Sequence, residues 1–273
     1  MAHIYTSNRP YLFSQPIRYI VFDNDGTLYN YAAGHLKLQH DAAIESVQKF
    51  IPNLEDDQII KLMDHSGGKY GGSLDIFYTE DKYGLSAEQL RDTYFDKLIE
   101  KTKGTNFFEN TDVPFEKFRQ LIDSGVEMAV ATHGNMKWAL YTYEQTGLDE
   151  FFDSENTVTK DMVPYNKKTR PEMFAAALRK LAEPDIKPVW EIGRQSLAVE
   201  DSKSGLKEAW ECLSMETVWQ KPHLTLDDRT MLSEYVSVVT KNLNETCDNV
   251  LQSNMQYGIY PSGQHDLFCT LEN

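Results

Sequence analysis

Two carboxylates one residue apart, Asp23 and Asp25, follow a short apolar run, Tyr19–Phe22, and precede Gly26-Thr27. A carboxylate at the end of a buried strand can attack phosphorus and form an aspartyl-phosphate. A second acid two residues on, past the start of the turn, reaches the same crevice and can act as general acid and base. An ordinary Asp-Gly turn after a strand would leave the same letters. A calcium loop would not, because its sixth position is Leu28 rather than glycine and its twelfth is Gly34 rather than glutamate.

Two further apolar runs end in reactive groups. Val126–Ala131 is followed by Thr132-His133-Gly134-Asn135, and Leu197–Val199 by Glu200-Asp201-Ser202. Thr132 offers a hydroxyl, and the N–H groups of His133 and Gly134 could complete a phosphate cradle at a helix start. A threonine cap of the helix is the plainer reading, and the two are compatible. Glu200-Asp201 could likewise be no more than a helix cap, with Ser202 competing for that position. If Asp23 and Asp201 lie on neighbouring strands, their backbones are about 5 Å apart. Four acids in one crevice raise each other's pKa unless a cation intervenes. All-oxygen ligands beside a phosphate favour Mg²⁺, bridging Asp23, Asp201 and a phosphate oxygen. A lysine is then needed to hold the charges of nucleophile and phosphate together. Lys167 and Lys168, shortly before Pro171, are the candidates, although loop lysines are usually solvated.

The elements that must position these groups alternate. Tyr19–Phe22 has the all-apolar character of a strand buried on both faces. Residues 126–131, 152–159, 197–199 and 214–219 are the further strands expected. Helical spacing between them includes Pro114 at a first-turn position, a helix with Trp138 and Tyr141, and a helix over 171–182. Residues 30–106 read as helical and self-contained: a helix with Leu36, Ala43, Ile44, Val47 and Phe50, a short second one around Ile59–Met63, and a third opened by the capping pair Ser86 and Gln89. Between the last two, Ser66–Ser73 is glycine-rich and lacks the Gly-Lys-Ser/Thr ending of a phosphate loop, so a connector is expected. The result is an α/β fold, a Rossmann-like parallel sheet with helices on both faces. The core is residues 1–29 and 107–222, and 30–106 form an inserted helical cap above the carboxyl edge. Residues 223–273 are a polar extension with one helix near 227–244 and a tail without fixed structure.

The chain has 273 residues, 41% hydrophobic and 25% charged, which suits a globular protein of one or two domains. A net charge of −15 argues against nucleic-acid backbones and anionic membrane surfaces as partners. Cys212, Cys247 and Cys269 are an odd number without metal-ligand spacing, as expected of reduced thiols in the cytoplasm. There is no secretory pattern at the N-terminus and no run near the about 20 apolar residues of a membrane helix.

Asp23-Asn24-Asp25-Gly26-Thr27, Thr132 after VEMAVA, Lys168 three residues before Pro171, and SLAVEDSKSG at 196–205 resemble the four ordered motifs of the haloacid dehalogenase superfamily. The resemblance spans residues 18–219, and the early helical insertion is similar to the cap of subfamily I. It implies Asp23 as nucleophile, Asp25 as acid/base, and Thr132 and Lys168 as phosphate binders. It implies Mg²⁺ on Asp23, the backbone carbonyl of Asp25, and Asp201, with Glu200 nearby. The usual Gly-Lys-Pro around the lysine is replaced by Asn166-Lys167-Lys168-Thr169-Arg170-Pro171, which leaves the choice of lysine open. An aspartate at position 25 resembles phosphatases and phosphomutases rather than dehalogenases, in which halide leaves unprotonated. Phosphonatases use a cap lysine; Lys69 is available, but nothing marks it out. DGTL resembles phosphoglycolate- and sugar-phosphate-type members, and KYGGSLDIF (69–77) faintly resembles pyrimidine 5′-nucleotidase relatives. The expectation is a Mg²⁺-dependent phosphatase of a small phosphomonoester: a sugar phosphate, phosphoglycolate or a nucleoside monophosphate. Alternatives are a phosphomutase of the β-phosphoglucomutase type and a non-catalytic phosphate-ester-binding protein. Tyr70, Phe77 and Tyr78 could stack on a base but read more simply as cap core.

Overall fold

Alternating side chains of the first strand face two different cores, one on each side of the sheet. In a computed structural model, which describes residues 11–70, 72–108, 113–163, 172–182, 188–221 and 235–261, β1 is Tyr19–Phe22. Ile20 and Phe22 face one cluster and Val21 the other, all fully buried. The same alternation recurs in β2 (Glu127–Thr132) and β4 (Ser196–Glu200), so each strand is covered on both faces. With β3 (Thr157–Thr159), β5 (Glu216–Gln220) and β6 (Val238–Thr240) they form one parallel sheet in the order β3-β2-β1-β4-β5-β6. A parallel sheet of this kind, with its crossover helices on both faces, is the Rossmann-like fold expected from the alternation of elements.

The order places β1 between β2 and β4. Phe22 pairs with Val130 on one side and Val199 on the other. The residues just beyond these pairs, Asp23, Thr132 and Glu200-Asp201, therefore meet at one carboxyl edge. The first face is packed by α5 (Phe115–Asp123), α6 (Met136–Thr146) and α10 (Leu243–Gln256). The second is packed by α7 (Glu172–Leu181), α8 (Val189–Gly193) and α9 (Lys203–Leu213).

Between β1 and β2 run α1 (His35–Phe50), α2 (Asp56–Tyr70), α3 (Ile76–Thr79) and α4 (Ala87–Thr102). They bury a separate apolar cluster that includes Ala43, Val47, Ile59, Phe77, Leu90 and Leu98. Ser86 caps α4 by accepting the Gln89 amide at 3.4 Å. The two connections to this insertion pair with each other: the Ala32 amide donates to the Phe107 carbonyl at 2.9 Å, and Tyr31 bridges to Phe108.

Three expectations are corrected. Ser66–Tyr70 are the last turn of α2 and not a connector; Ser66 is fully buried, its Oγ donating to the Gly72 carbonyl at 2.6 Å and accepting the Ile76 amide at 3.0 Å. The third strand occupies only 157–159 of the expected 152–159. In the described part of the helix expected near 227–244, residues 238–240 are a strand and only 243–244 are helical, the helix running later, over 243–256. Residues 235–256 are thus part of the sheet and its cover rather than an extension beyond it. Residues 223–234 and 262–273 lie outside the described residues.

Candidate active site

β1 delivers Asp23 into the edge: its amide donates to the Val199 carbonyl at 2.9 Å, continuing the ladder one residue past the strand. Asp23 is 9% exposed and Glu200 8%. One carboxylate oxygen each from Asp23, Glu200 and Asp201 lies within 4.8 Å of the others. Burial raises the Asp23 carboxyl well above the usual carboxylate range, and Glu200, Asp201 and Asp25 push it further. Burial and then Asp201 push Glu200 up to about 8, against a hydrogen bond from the Ser202 amide that favours its charged form. Asp201 is the exposed member, at the rim; desolvation of its oxygens against the cluster and the charge of Asp25 raise it, while Lys221 works the other way. Buried like charges this close are costly unless a cation joins them. The donors are all oxygen, which fits a hard divalent ion such as Mg²⁺.

Turn geometry holds the cluster together. Gly26 has φ +86°, and a Cβ there would stand 2.6 Å from Asp201 Oδ2. Gly34 has nearly the same φ, +89°, but open space around it. Both alanine substitutions carry left-handed strain of about 1 kcal/mol or more. Gly26→Ala must in addition displace a carboxylate of the cluster, so its melting temperature is expected to fall below that of Gly34→Ala. Equal losses in thermal denaturation would show that Gly26 is there for its backbone alone. Opposite the turn, Trp219 Nε1 donates to the Asp201 carbonyl at 2.8 Å, and Gln220 Nε2 to the Thr27 carbonyl at 2.6 Å.

Asp25, beside the three acids, is held by a ring of donors. Its Oδ1 accepts from Trp138 Nε1 at 2.8 Å, Tyr31 OH at 3.1 Å and Tyr29 OH. Its Oδ2 accepts from Thr132 Oγ1 at 3.2 Å, and Thr132 Oγ1 in turn accepts the Gly134 amide at 2.9 Å. The Gly134 N–H, expected to face a phosphate, is directed at the threonine hydroxyl. Nor is Thr132 the cap of the following helix: Asn135 is, its Oδ1 accepting the Trp138 amide at 2.9 Å. The His133 and Gly134 carbonyls accept from Arg91 of α4 at 2.8 and 3.4 Å, and Arg91 Nε pairs with Asp161 at 2.8 Å. This buried guanidinium ties the insertion to the β2–α6 turn.

Asp25, Tyr31, Asp75, Arg91, His133, Trp138 and Lys160 belong to the lining of a cavity of about 220 Å³ between the insertion and the carboxyl edge. Asp75 is 1% exposed and pairs with Lys160 Nζ at 2.6 Å and with Tyr78 OH. None of Tyr70, Phe77 and Tyr78 is in the lining of this cavity: Phe77 is core of the insertion, Tyr70 bonds to Glu80, and Tyr78 stands behind Asp75. Lys69 lies outside it, beside Glu80. Lys167 and Lys168 fall outside the described residues.

Sequence reasoning missed Tyr29, Tyr31, Arg91, Asp75 and Lys160 as contributors, and gave Trp138 only a helix. Their partners are mostly far along the chain. The nearest thing to a signal is Tyr29-Asn30-Tyr31, two hydroxyls on alternate residues four and six after Asp25.

The chain thus carries an acidic cluster at the carboxyl edge of a Rossmann-like parallel sheet. The chain belongs to the haloacid dehalogenase-like hydrolases, whose family model matches residues 17–209. Among solved structures it is similar to CbbY from Rhodobacter sphaeroides in complex with phosphate (18% identity, 83% of this chain and 94% of that one, TM-score 0.58). CbbY has also been solved as a mutant with xylulose-1,5-bisphosphate. A family IA hydrolase of this superfamily from Entamoeba histolytica aligns over 88% of this chain and 100% of its own, at 16% identity and TM-score 0.61. At these identities the likeness concerns the fold. No curated protein matches the sequence.

Proposed function

We propose that the protein is a phosphomonoesterase that hydrolyses a small phosphorylated metabolite through an aspartyl-phosphate. The convergence of Asp23 with Glu200 and Asp201 at the carboxyl edge, with Asp25 two residues from the nucleophile, carries the reading. An Asp23 oxygen attacks phosphorus, the ester oxygen departs, and Asp25 delivers a proton to it. Asp25, now a carboxylate, takes a proton from water as the water oxygen attacks phosphorus, which frees inorganic phosphate and restores Asp23. Asp23, Asp201, Glu200 and the Asp25 carbonyl are the groups that would hold Mg²⁺, which would screen the nucleophile from an anionic substrate. Thr132 and a lysine of the 167–168 pair are assigned to the phosphate oxygens. The insertion serves as a cap, and the cavity of about 220 Å³ beneath it reaches Asp25.

The test is release of inorganic phosphate from a panel of phosphate esters with Mg²⁺ and with EDTA. Metal-dependent turnover is expected. No release across the panel would overturn the reading. Turnover that requires a bisphosphate and frees little phosphate would replace it with a phosphomutase. CbbY, with its phosphate and sugar bisphosphate complexes, makes phosphorylated sugars the first compounds to try.

A further inference from the structure

Three donors converge on one oxygen of Asp25. Trp138 Nε1 lies 2.8 Å from Oδ1, Tyr31 OH 3.1 Å, and Tyr29 OH also donates to it. An indole N–H only donates, so Trp138 keeps Oδ1 an acceptor whatever the tyrosine hydroxyls do. Among the described residues Oδ2 accepts one hydrogen bond, from Thr132 Oγ1 at 3.2 Å, and it faces the β2–α6 turn, where a Cβ on Gly134 would lie 3.8 Å away. An acid whose two oxygens are so unequally engaged presents one of them for proton transfer.

We infer that Trp138, with Tyr29 and Tyr31, is a positioning residue that fixes Asp25 so that Oδ2 is the oxygen carrying the proton to the leaving group. The inference rests on the general-acid role proposed for Asp25. Trp138 is well placed to hold that geometry. It is 1% exposed, and its ring is stacked on Phe95 of α4 at 6.0 Å and meets Phe107 edge-on at 5.9 Å. It sits on α6 yet belongs to the apolar cluster of the insertion. Tyr31 packs on Phe107 and Tyr29 on Phe108, so the rings that orient Asp25 also line both connections to the insertion. Seating of the insertion and orientation of the acid are thereby one arrangement.

Trp138→Phe keeps an aromatic ring and removes the N–H. The readout is kcat for a series of esters from p-nitrophenyl phosphate, whose leaving group departs without a proton, to alkyl phosphates, whose leaving group needs one. The alkyl-to-aryl ratio of kcat is expected to fall about 10–100-fold, the scale of an outer hydrogen-bonding partner, with little change in KM. Asp25→Asn is expected to lower the same ratio more. A ratio unchanged in Trp138→Phe, with all esters slowed alike, would reduce Trp138 to packing and overturn the inference while leaving the phosphatase reading intact. Asp25→Asn with an unchanged ratio would instead remove the acid role itself. If Trp138→Phe does not fold, the Tyr29→Phe/Tyr31→Phe double variant takes its place, judged by the same ratio: a fall supports the inference and an even loss overturns it.

Discussion

Asp23→Asn is expected to lower turnover of any phosphate ester by about 10⁴-fold or more, the scale seen when a covalent nucleophile is removed. The substitution is nearly isosteric. The Asp23 amide would keep its bond to the Val199 carbonyl, so the end of β1 stays in place. What changes is chemical, because an amide oxygen does not form an acyl-phosphate. The variant should fold, and it should resist heat better than the parent when metal is absent, since one charge leaves a buried acidic cluster. Steady-state phosphate release beside thermal denaturation checks both halves. Comparable rates in parent and variant would exclude Asp23 as the nucleophile.

Glu200→Gln is the second large effect, and its signature is pH. Glu200 and Asp23 hold protons more tightly in the folded state than in the unfolded chain, Glu200 up to about 8. The folded state therefore binds more protons than the unfolded one through this range, and stability falls as pH rises. The metal-free protein is expected to hold this contribution in full below the unfolded values of 3.8 and 4.5 and to lose it progressively up to about pH 8. Gln removes one of the charges responsible and keeps an acceptor for the Ser202 amide. Its melting temperature in EDTA should exceed the parent's at pH 8 by several degrees, on the order of 5 °C, and converge with it near pH 5. Mg²⁺ should act in the opposite sense, stabilising the parent at pH 8 by on the order of 5 °C at a hundred times its dissociation constant and the variant by less. A parent whose melting temperature in EDTA is flat from pH 5 to 8 would mean that the acids are not coupled as the geometry has them.

Much of the α/β framework can be read from the letters because strands buried on both faces leave unbroken apolar runs. Ile20–Phe22, Met128–Ala131 and Leu197–Val199 are such runs, and the polar residue closing each stands at the carboxyl edge by construction. Asp23, Thr132, Glu200 and Asp201 were legible for that reason. The C-terminal segment was not. β6 has three residues, too few to show a pattern. The buried side of α10 includes Asn249, Ser253 and Asn254, which read as solvent-facing. Each is satisfied by backbone far away: Asn249 Oδ1 accepts the Tyr11 amide, Ser253 Oγ the Phe13 amide, and Asn254 both accepts from and donates to Ile17. Asp75 is hidden in the same way, since its cation, Lys160, lies 85 positions along the chain. Short-range pattern reveals burial of apolar side chains, but not burial of polar ones whose partners are distant.

The bonds between residues 11–17 and α10 make the two ends of the described chain depend on each other. Trimming α10 would leave the amides of Tyr11, Phe13 and Ile17 without these acceptors, and trimming residues 11–17 would strip Asn249, Ser253 and Asn254 of their donors. Shortened versions that stop after β5, at the limit of the family match plus one strand, would also lay bare the Val218–Gln220 rim that β6 covers. A minimal folded fragment should therefore keep residues 11 through 261.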